Sequence, residues 1–182
     1  MQFTNNKLPG IVLVEPKLYE DERGFFFESY HKRLFDEHKI SLEFVQDNHS
    51  RSRQRTLRGM HYQIRHPQGK LVRVIIGEIY DVAVDLRKSS HAFGEWTGIY
   101  LSAQNKKQLY VPPGFAHGFY VMSEWAEVLY KTTDYYVPEW ERTLLWNDAQ
   151  INISWPLIDE KQPLLSPKDA VGTSFNQAEV YE

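Results

Sequence analysis

The chain carries the stretch Tyr-Asp-Val-Ala-Val-Asp-Leu-Arg at residues 80–87, in which large apolar residues alternate with charged ones. A period of two places successive side chains on opposite faces of an extended backbone, so this stretch predicts a β-strand with one buried face. Other segments rich in β-branched and aromatic residues have the same character, and turn-forming residues separate them. These segments are residues 71–76, 96–101, 108–111, 119–122 and 127–133.

Many short strands at close spacing predict an all-β sandwich or barrel. Helical periodicity is confined to residues 30–38, and a further short helix is predicted from Ser166 in an otherwise irregular, proline-containing tail. We therefore expect one jelly-roll-like domain over residues 1–182, with an N-terminal arm, a few short helices and a C-terminal flap.

Composition excludes several classes of protein. The 21 Lys and Arg residues nearly balance the 24 Asp and Glu residues, which argues against broad nucleic-acid binding but allows a small anionic ligand. The chain has no cysteine, so zinc–thiolate sites and cysteine nucleophiles are absent. Neither a secretory signal nor an apolar run of about 18 residues is present, and we expect a soluble cytoplasmic protein that makes no membrane contact.

Residues 56–63, Thr-Leu-Arg-Gly-Met-His-Tyr-Gln, look like a strand interrupted by glycine. Glycine inside a strand often marks a bulge or a close backbone approach. A bulge at Gly59 would turn Arg58 and His61, which have opposite parity, into the same cavity. An ordinary barrel strand with a hydrogen-bonded histidine accounts for the same residues, and the pattern alone favours neither interpretation.

The segment Pro-Gly-Phe-Ala-His-Gly at residues 113–118 resembles the second half of the cupin signature, in which a turn presents a histidine to the barrel mouth. Cupins that bind metal usually carry two further histidines and a glutamate in the first half. Here that half offers His61 alone, followed by Tyr and Gln. Because a transition-metal site needs at least three good ligands, no metal site is expected.

Two polar segments could contribute to a binding site. Residues 21–28 combine an arginine, a glycine and three aromatics, a composition equally typical of an edge strand with a hydrophobic plug, and residues 46–50 could form a polar turn. Together with Arg58 and residues 68–70, they supply cations and amides suited to a diphosphate and a pyrimidine base.

Eight segments in order resemble the dTDP-4-dehydrorhamnose 3,5-epimerase family, across about residues 10–170. They are Asp-Glu-Arg-Gly-Phe-Phe-Phe-Glu at 21–28, Val-Gln-Asp-Asn-His-Ser at 45–50, Leu-Arg-Gly-Met-His-Tyr-Gln at 57–63, Gln-Gly-Lys-Leu-Val-Arg at 68–73, Asp-Val-Ala-Val-Asp-Leu-Arg at 81–87, Pro-Gly-Phe-Ala-His-Gly-Phe at 113–119, Leu-Tyr-Lys-Thr-Thr-Asp-Tyr-Tyr at 129–136 and Ser-Pro-Lys-Asp-Ala at 166–170.

The resemblance implies a cupin-type jelly roll that works without a cofactor, usually as a homodimer. The implied substrate is a dTDP-4-keto-6-deoxyhexose, dTDP-4-dehydro-6-deoxy-D-glucose. The implied product is dTDP-4-dehydro-L-rhamnose, which leads to dTDP-L-rhamnose and cell-surface polysaccharide.

Residue roles are implied by the same resemblance. His61 resembles the proton acceptor, Asp169 the carboxylate paired with it, Tyr130 the proton donor, and Lys70 the cation near the keto oxygen. The substrate-binding positions are Arg23, Asn48 and Arg58 for diphosphate and ribose, Glu28 and Gln46 for thymine, Tyr136 for stacking on thymine, and also Asp47, His117, Glu141 and Lys168. Residues 64–67 and 137–142 follow the family pattern less closely.

These groups suit epimerisation at the carbons beside a ketone. Histidine is a good base near neutral pH, a tyrosine on the opposite face can return the proton, and a lysine can stabilise the enolate. Three alternatives remain open: a same-fold 3-epimerase or 3,4-ketoisomerase, a non-catalytic nucleotide-sugar-binding cupin, and a metal-dependent cupin dioxygenase.

Overall fold

The computed structural model describes residues 1–182 and consists mainly of antiparallel strands with short connections. The strands are β1 (Gln2–Asn5), β2 (Val12–Glu15), β3 (Tyr19–Asp21), β4 (Gly24–Phe26), β5 (Gln46–Arg53), β6 (Leu57–Gln63), β7 (Lys70–Ile76), β8 (Glu78–Asp85), β9 (Trp96–Ser102), β10 (Gln108–Val111), β11 (Phe115–Val121), β12 (Trp125–Thr132) and β13 (Glu141–Thr143). The helices are α1 (Lys32–Glu37) and the 3-10 turns Pro138–Trp140, Ile158–Glu160, Asp169–Val171 and Phe175–Gln177.

Two sheets form the body of the molecule. One has six strands in the order β1-β2-β10-β7-β12-β5, and the other has five in the order β13-β6-β11-β8-β9. The pair β3–β4 forms a separate hairpin. This arrangement confirms the predicted all-β, cupin-type jelly roll with an N-terminal arm and a few short helices. None of the helices has the length and hydrophobicity needed to cross a bilayer.

The main hydrophobic core lies between the two sheets. Val72, Val74 and Val128 of the six-stranded sheet pack there with Phe115 and Phe119 of the five-stranded sheet, and all are buried. The polar pocket described below adjoins this core, since Val72 and Phe119 also line that pocket.

Strand β8 differs from the prediction of one buried face. Its apolar parity, Val82 and Val84, packs against the C-terminal segment on the outside of the five-stranded sheet. Its charged parity is also buried: Asp81 and Asp85 are both fully inaccessible. The prediction was wrong because each carboxylate has local partners, His117 for Asp81 and Arg87 for Asp85, which compensate its burial.

Several boundaries also differ from the prediction. Residues 46–50 form the start of β5 rather than a turn, because every residue of this polar strand pairs with β12. The turn before His117 is restricted to Pro113 and Gly114, and the histidine itself lies within β11. The helix predicted over residues 30–38 is present but shorter, and the one predicted from Ser166 is a 3-10 turn over Asp169–Val171.

The bulge at Gly59, one of the two interpretations that the sequence allowed, is present. Strand β6 pairs with β11 through His61 opposite His117 and Arg58 opposite Phe119, so β6 has one residue more than its partner between these pairs. Gly59 has φ +139, and a Cβ there would lie 2.6 Å from Cα of Gly118 on β11. Only glycine combines this backbone conformation with so close an approach, and as a result Arg58 and His61 both line one pocket.

Candidate active site

A polar cavity of about 370 Å³ opens between the two sheets. Strands β5, β7 and β12 contribute one wall, and β6 and β11 contribute the facing wall. Nine of the residues predicted to catalyse or bind substrate line it: Gln46, Asn48, Arg58, His61, Lys70, His117, Tyr130, Tyr136 and Glu141.

His61 lies on β6 and is backed by a carboxylate from the C-terminal segment. Its Nε2 lies 2.5 Å from Oδ1 of Asp169, whose other oxygen accepts a hydrogen bond of 2.7 Å from the Ser166 hydroxyl. Burial alone would raise the pKa of Asp169, but the hydrogen bonds from His61 and Ser166 outweigh it and hold that pKa below its usual value. An ionised Asp169 keeps the imidazole proton on Nε2, so Nδ1 is the nitrogen left to accept another.

Lys70 and Tyr130 lie on neighbouring strands of the wall opposite His61. The Lys70 ammonium donates to the backbone oxygen of His61 at 3.3 Å, and burial lowers its pKa to about 8 despite the nearby Asp81 and Glu141. Burial raises the pKa of Tyr130, so the phenol holds its proton throughout the physiological range.

His117 forms a second histidine–carboxylate pair beside the first. It is the cross-strand partner of His61, and its Nε2 lies 2.9 Å from Oδ1 of the fully buried Asp81. Two imidazoles, each held by its own carboxylate, therefore lie side by side on one wall of the pocket.

Tyr136, Glu141 and Lys168 form a chain at the pocket rim. The Tyr136 hydroxyl donates to Glu141 at 2.6 Å, which raises the pKa of the phenol to about 12, and the Lys168 ammonium pairs with the same carboxylate oxygen. Burial would raise the pKa of Glu141, but the hydrogen bonds from Lys168 and Tyr136 hold it below its usual value. These three linked side chains join the rim to the His61–Asp169 pair, because Asp169 follows Lys168 directly in the sequence.

Arg58 supplies the pocket with an uncommitted positive charge. Its Nε donates to the Ser52 hydroxyl at 2.9 Å, and no carboxylate lies within salt-bridge distance of its guanidinium. A guanidinium without a carboxylate partner, in the same pocket as the Lys70 ammonium, is suited to an anionic ligand such as a diphosphate.

Three predicted binding residues lie outside this pocket. Asp47 lies on the outer face of β5, where Lys131 pairs with it at 2.9 Å. Arg23 and Glu28 lie on the arm, residues 19–28, where the Arg23 side chain is 85% exposed and bonded only to Asp21. The arm also exposes Phe25 and Phe26 to solvent.

Other pocket residues were not predicted as site residues. Gln63 lines the cavity, and the Asp81 carboxylate pairs with His117. Gln63 lies inside a family motif, but no periodic signal distinguishes it from an ordinary strand residue, whereas Gln68 belongs to the segment 68–70 that was expected to supply an amide. Asp81 had no distinguishing signal either, since the alternation at residues 80–87 places it among the charged residues expected to face solvent. The structure contains no group of three or more His, Cys, Asp and Glu side chains that could hold a metal ion.

The fold and the pocket together define a cupin-type jelly-roll protein whose cavity presents acid–base groups and a free cation to a ligand. The chain belongs to the dTDP-4-dehydrorhamnose 3,5-epimerase family, because that family's model matches residues 5–177.

The relatives of the chain extend this finding over its whole length. The dTDP-4-dehydrorhamnose 3,5-epimerase of Pseudomonas aeruginosa is 55% identical over 100% of this chain and 99% of its own. The structure of the dTDP-6-deoxy-D-glucose-3,5-epimerase of Legionella pneumophila in complex with dTDP-4-keto-L-rhamnose superimposes with a TM-score of 0.94 at 49% identity, covering 98% of this chain and 94% of that one. A 3'-monoepimerase of Streptomyces bikiniensis, in complex with dTDP-quinovose, has a TM-score of 0.87 at 28% identity, covering 94% and 86%.

Proposed function

We propose that the protein converts dTDP-4-dehydro-6-deoxy-D-glucose to dTDP-4-dehydro-L-rhamnose by epimerisation at C3 and C5. The observation that carries the proposal is the His61–Asp169 pair on one wall of the pocket, with Tyr130 and Lys70 on the other. We further propose that the reaction takes place in the cytoplasm and supplies dTDP-L-rhamnose synthesis.

Proton removal is assigned to His61. A 4-keto sugar is acidic at C3 and C5 because the resulting carbanion is delocalised onto the carbonyl oxygen. Since Asp169 holds the imidazole proton on Nε2, the base is Nδ1, and the imidazolium that forms is stabilised by the same carboxylate.

Lys70 and Tyr130 complete the chemistry from the facing wall. The Lys70 ammonium stabilises the enolate oxygen, an electrostatic contribution that is commonly the largest in such reactions. The Tyr130 phenol, protonated because of its burial, returns a proton to the face of the ring opposite His61. Inversion needs donor and acceptor on opposite faces, and these two side chains come from opposite sheets.

Nucleotide binding is assigned to the outer part of the same pocket. The free guanidinium of Arg58 binds the diphosphate, and Gln46 and Tyr136 bind the thymine by hydrogen bonding and stacking. Asn48, His117, Glu141 and Lys168 complete the site around ribose and sugar.

The position of the arm supports a homodimer. Neither Arg23 nor Glu28 lines the polar cavity of its own chain, and the arm exposes apolar rings that a second copy would cover. We propose that the arm of one subunit brings these two residues to the pocket of the other. Mixing inactive Arg23→Ala and His61→Asn homodimers should then restore activity through hybrid dimers, which contain one intact site; no restored activity would refute the exchange.

The decisive experiment is turnover of dTDP-4-dehydro-6-deoxyglucose in D₂O, followed by NMR. Deuterium at both C3 and C5 is expected. Label at C3 alone would identify a 3-epimerase, a ketone moved to C3 would identify a ketoisomerase, and no label despite dTDP binding would identify a binding module.

His61→Asn tests the base in the same assay. We expect no turnover and nearly unchanged dTDP binding, because the base is needed for the chemistry and not for the nucleotide. His91→Asn, in an exposed loop, is the matched control and should behave as wild type. Near-normal turnover by His61→Asn would show that His61 is not the base.

A further inference from the structure

The rim segment 134–137 carries the tyrosine assigned to the nucleotide base, yet little packing holds it. It follows the end of β12 and belongs to no strand or helix. The side chains of Tyr135 and Tyr136 are 62% and 48% exposed. An exposed segment with few apolar contacts is held mainly by its backbone hydrogen bonds.

Glutamine side chains from inside the pocket supply those hydrogen bonds. The Gln68 amide donates to the backbone oxygen of Asp134 at 2.8 Å. The Gln46 carbonyl accepts from the backbone N–H of Tyr136 at 3.1 Å. Gln63 contacts the backbone of Tyr135 and Val137, and Thr132 and Asp134 add local hydrogen bonds at the start of the segment.

Gln63 holds the segment on both sides of Tyr136. Its Oε1 accepts from the backbone N–H of Val137 at 2.6 Å, and its Nε2 donates to the backbone oxygen of Tyr135 at 3.2 Å. The same Nε2 donates to the backbone oxygen of His66 at 2.8 Å. The side chain is almost completely buried, so these bonds are shielded from competition by bulk water.

We propose that Gln63 is the positioning residue for Tyr136, and that it prepares the nucleotide end of the pocket for the base before the ligand arrives. The inference rests on the stacking role proposed for Tyr136. A ring held in place before binding loses less conformational freedom when the base stacks on it. Glu141 holds the Tyr136 hydroxyl by a hydrogen bond. The glutamines hold the backbone on either side of Tyr136, so both ends of this side chain are fixed.

This role predicts weaker nucleotide binding with intact chemistry. In Gln63→Leu, the backbone oxygen of Tyr135 and the backbone N–H of Val137 lose the Gln63 amide as their partner. The contacts of His61, Lys70 and Tyr130 are unchanged. We expect the Kd for dTDP, measured by calorimetry, to rise about tenfold. This is the change in affinity expected when most of the stacking energy between the base and one aromatic ring is lost. KM for the sugar nucleotide should rise similarly, with kcat within about twofold of wild type.

The matched control is Gln54→Leu. The Gln54 amide also donates to a backbone oxygen, that of Met122 at 2.9 Å, but it lies outside the pocket. Its Kd and kcat should stay at the wild-type values. Gln68→Leu removes a single bond to the same segment and should give a smaller rise in Kd, which keeps the test available if Gln63→Leu folds poorly.

A double-mutant cycle separates positioning from general destabilisation. In a Tyr136→Leu background, Gln63→Leu should weaken dTDP binding by less than twofold, because the ring through which it acts is gone. An equal loss in both backgrounds, an unchanged Kd, or a fall in kcat at constant KM would each overturn the proposal.

Hydrogen exchange of the ligand-free protein gives an independent readout. The amides of residues 134–137 should exchange faster in Gln63→Leu than in wild type and in Gln54→Leu, and unchanged exchange would overturn the proposal. Failure of the wild type to bind dTDP would instead refute the proposed function, since the exchange measurement needs no ligand.

Discussion

Lys70→Arg, assayed over a pH series, tests the assignment of the enolate-stabilising cation. Burial lowers the pKa of Lys70 to about 8, so this amine loses its charge within a range in which an exposed lysine would keep it. An arginine at the same position keeps its charge throughout. Lys70→Arg therefore keeps a positive charge at position 70 but removes its loss of charge near pH 8.

The expected magnitude follows from the fraction of protonated lysine. In wild type, kcat/KM should fall on the alkaline side to about one half at pH 8 and about one tenth at pH 9, one unit above the Lys70 pKa. Tyr130 cannot produce this decrease, because burial raises its pKa from the ordinary value of 10.0. Asp169 and Glu141 cannot either, because their pKa values are lowered and both stay ionised.

Stability should change in the opposite direction. The pKa of Lys70 is about 8 in the folded protein and 10.5 without the fold, so the unfolded chain binds more protons between these values. This group therefore makes the free energy of unfolding increase as pH rises from about 8 to 10.5, while activity decreases. The activity loss is thus distinguishable from alkaline unfolding by urea titrations at the same pH values.

The assay is initial-rate kinetics of epimerisation, with the Lys70 ε-carbon followed by NMR and assigned by its absence in Lys70→Arg. A wild-type kcat/KM that stays constant to about pH 10 would refute the reasoning. So would an active Lys70→Arg that retains the wild-type decrease near pH 8, since another group would then be responsible. If Lys70→Arg is inactive, an NMR pKa near the ordinary 10.5 would refute it directly.

Asp169→Asn should lower kcat by about 10²–10⁴-fold with little change in dTDP affinity, because the amide no longer holds the His61 proton on Nε2 or stabilises the imidazolium; steady-state kinetics and calorimetry check this, and a loss under tenfold would contradict it. Gly59→Ala should destabilise the fold by about 3 kcal/mol or more, because the new Cβ would lie 2.6 Å from Cα of Gly118 at a φ of +139. Urea unfolding measures this, and Gly24→Ala, at a φ of +128 with nothing within 4 Å of its Cβ, should lose only about 1 kcal/mol from the backbone conformation alone.

Much of the fold could be predicted from local patterns. Alternation and turn residues identified β7, β8, β9, β10 and β12 with small errors at their ends, because side-chain period and turn chemistry are properties of neighbouring residues. The bulge at Gly59 was one of two interpretations that the local pattern allowed, and the pairing of β6 with β11 decided between them. Strand β5 was not, because all its residues are polar and its inward face lines a hydrophilic pocket, so no hydrophobic alternation marks it.

The candidate site was also predicted only in part. Family motifs indicated which residues to examine, and most of them meet in one pocket, whereas the outward positions of Arg23, Glu28 and Asp47 depend on the arm and on the parity of β5. Their roles remain predictions until the variants are measured.

By itself, the sequence determined the strand-rich architecture and the family, since both depend on short runs of adjacent residues. Only the tertiary structure decided that Asp81 is buried beneath His117, that Asp169 binds Nε2 of His61, and that the pKa of Lys70 lies near 8. These properties depend on distances and burial among residues far apart in the chain, which no local pattern encodes.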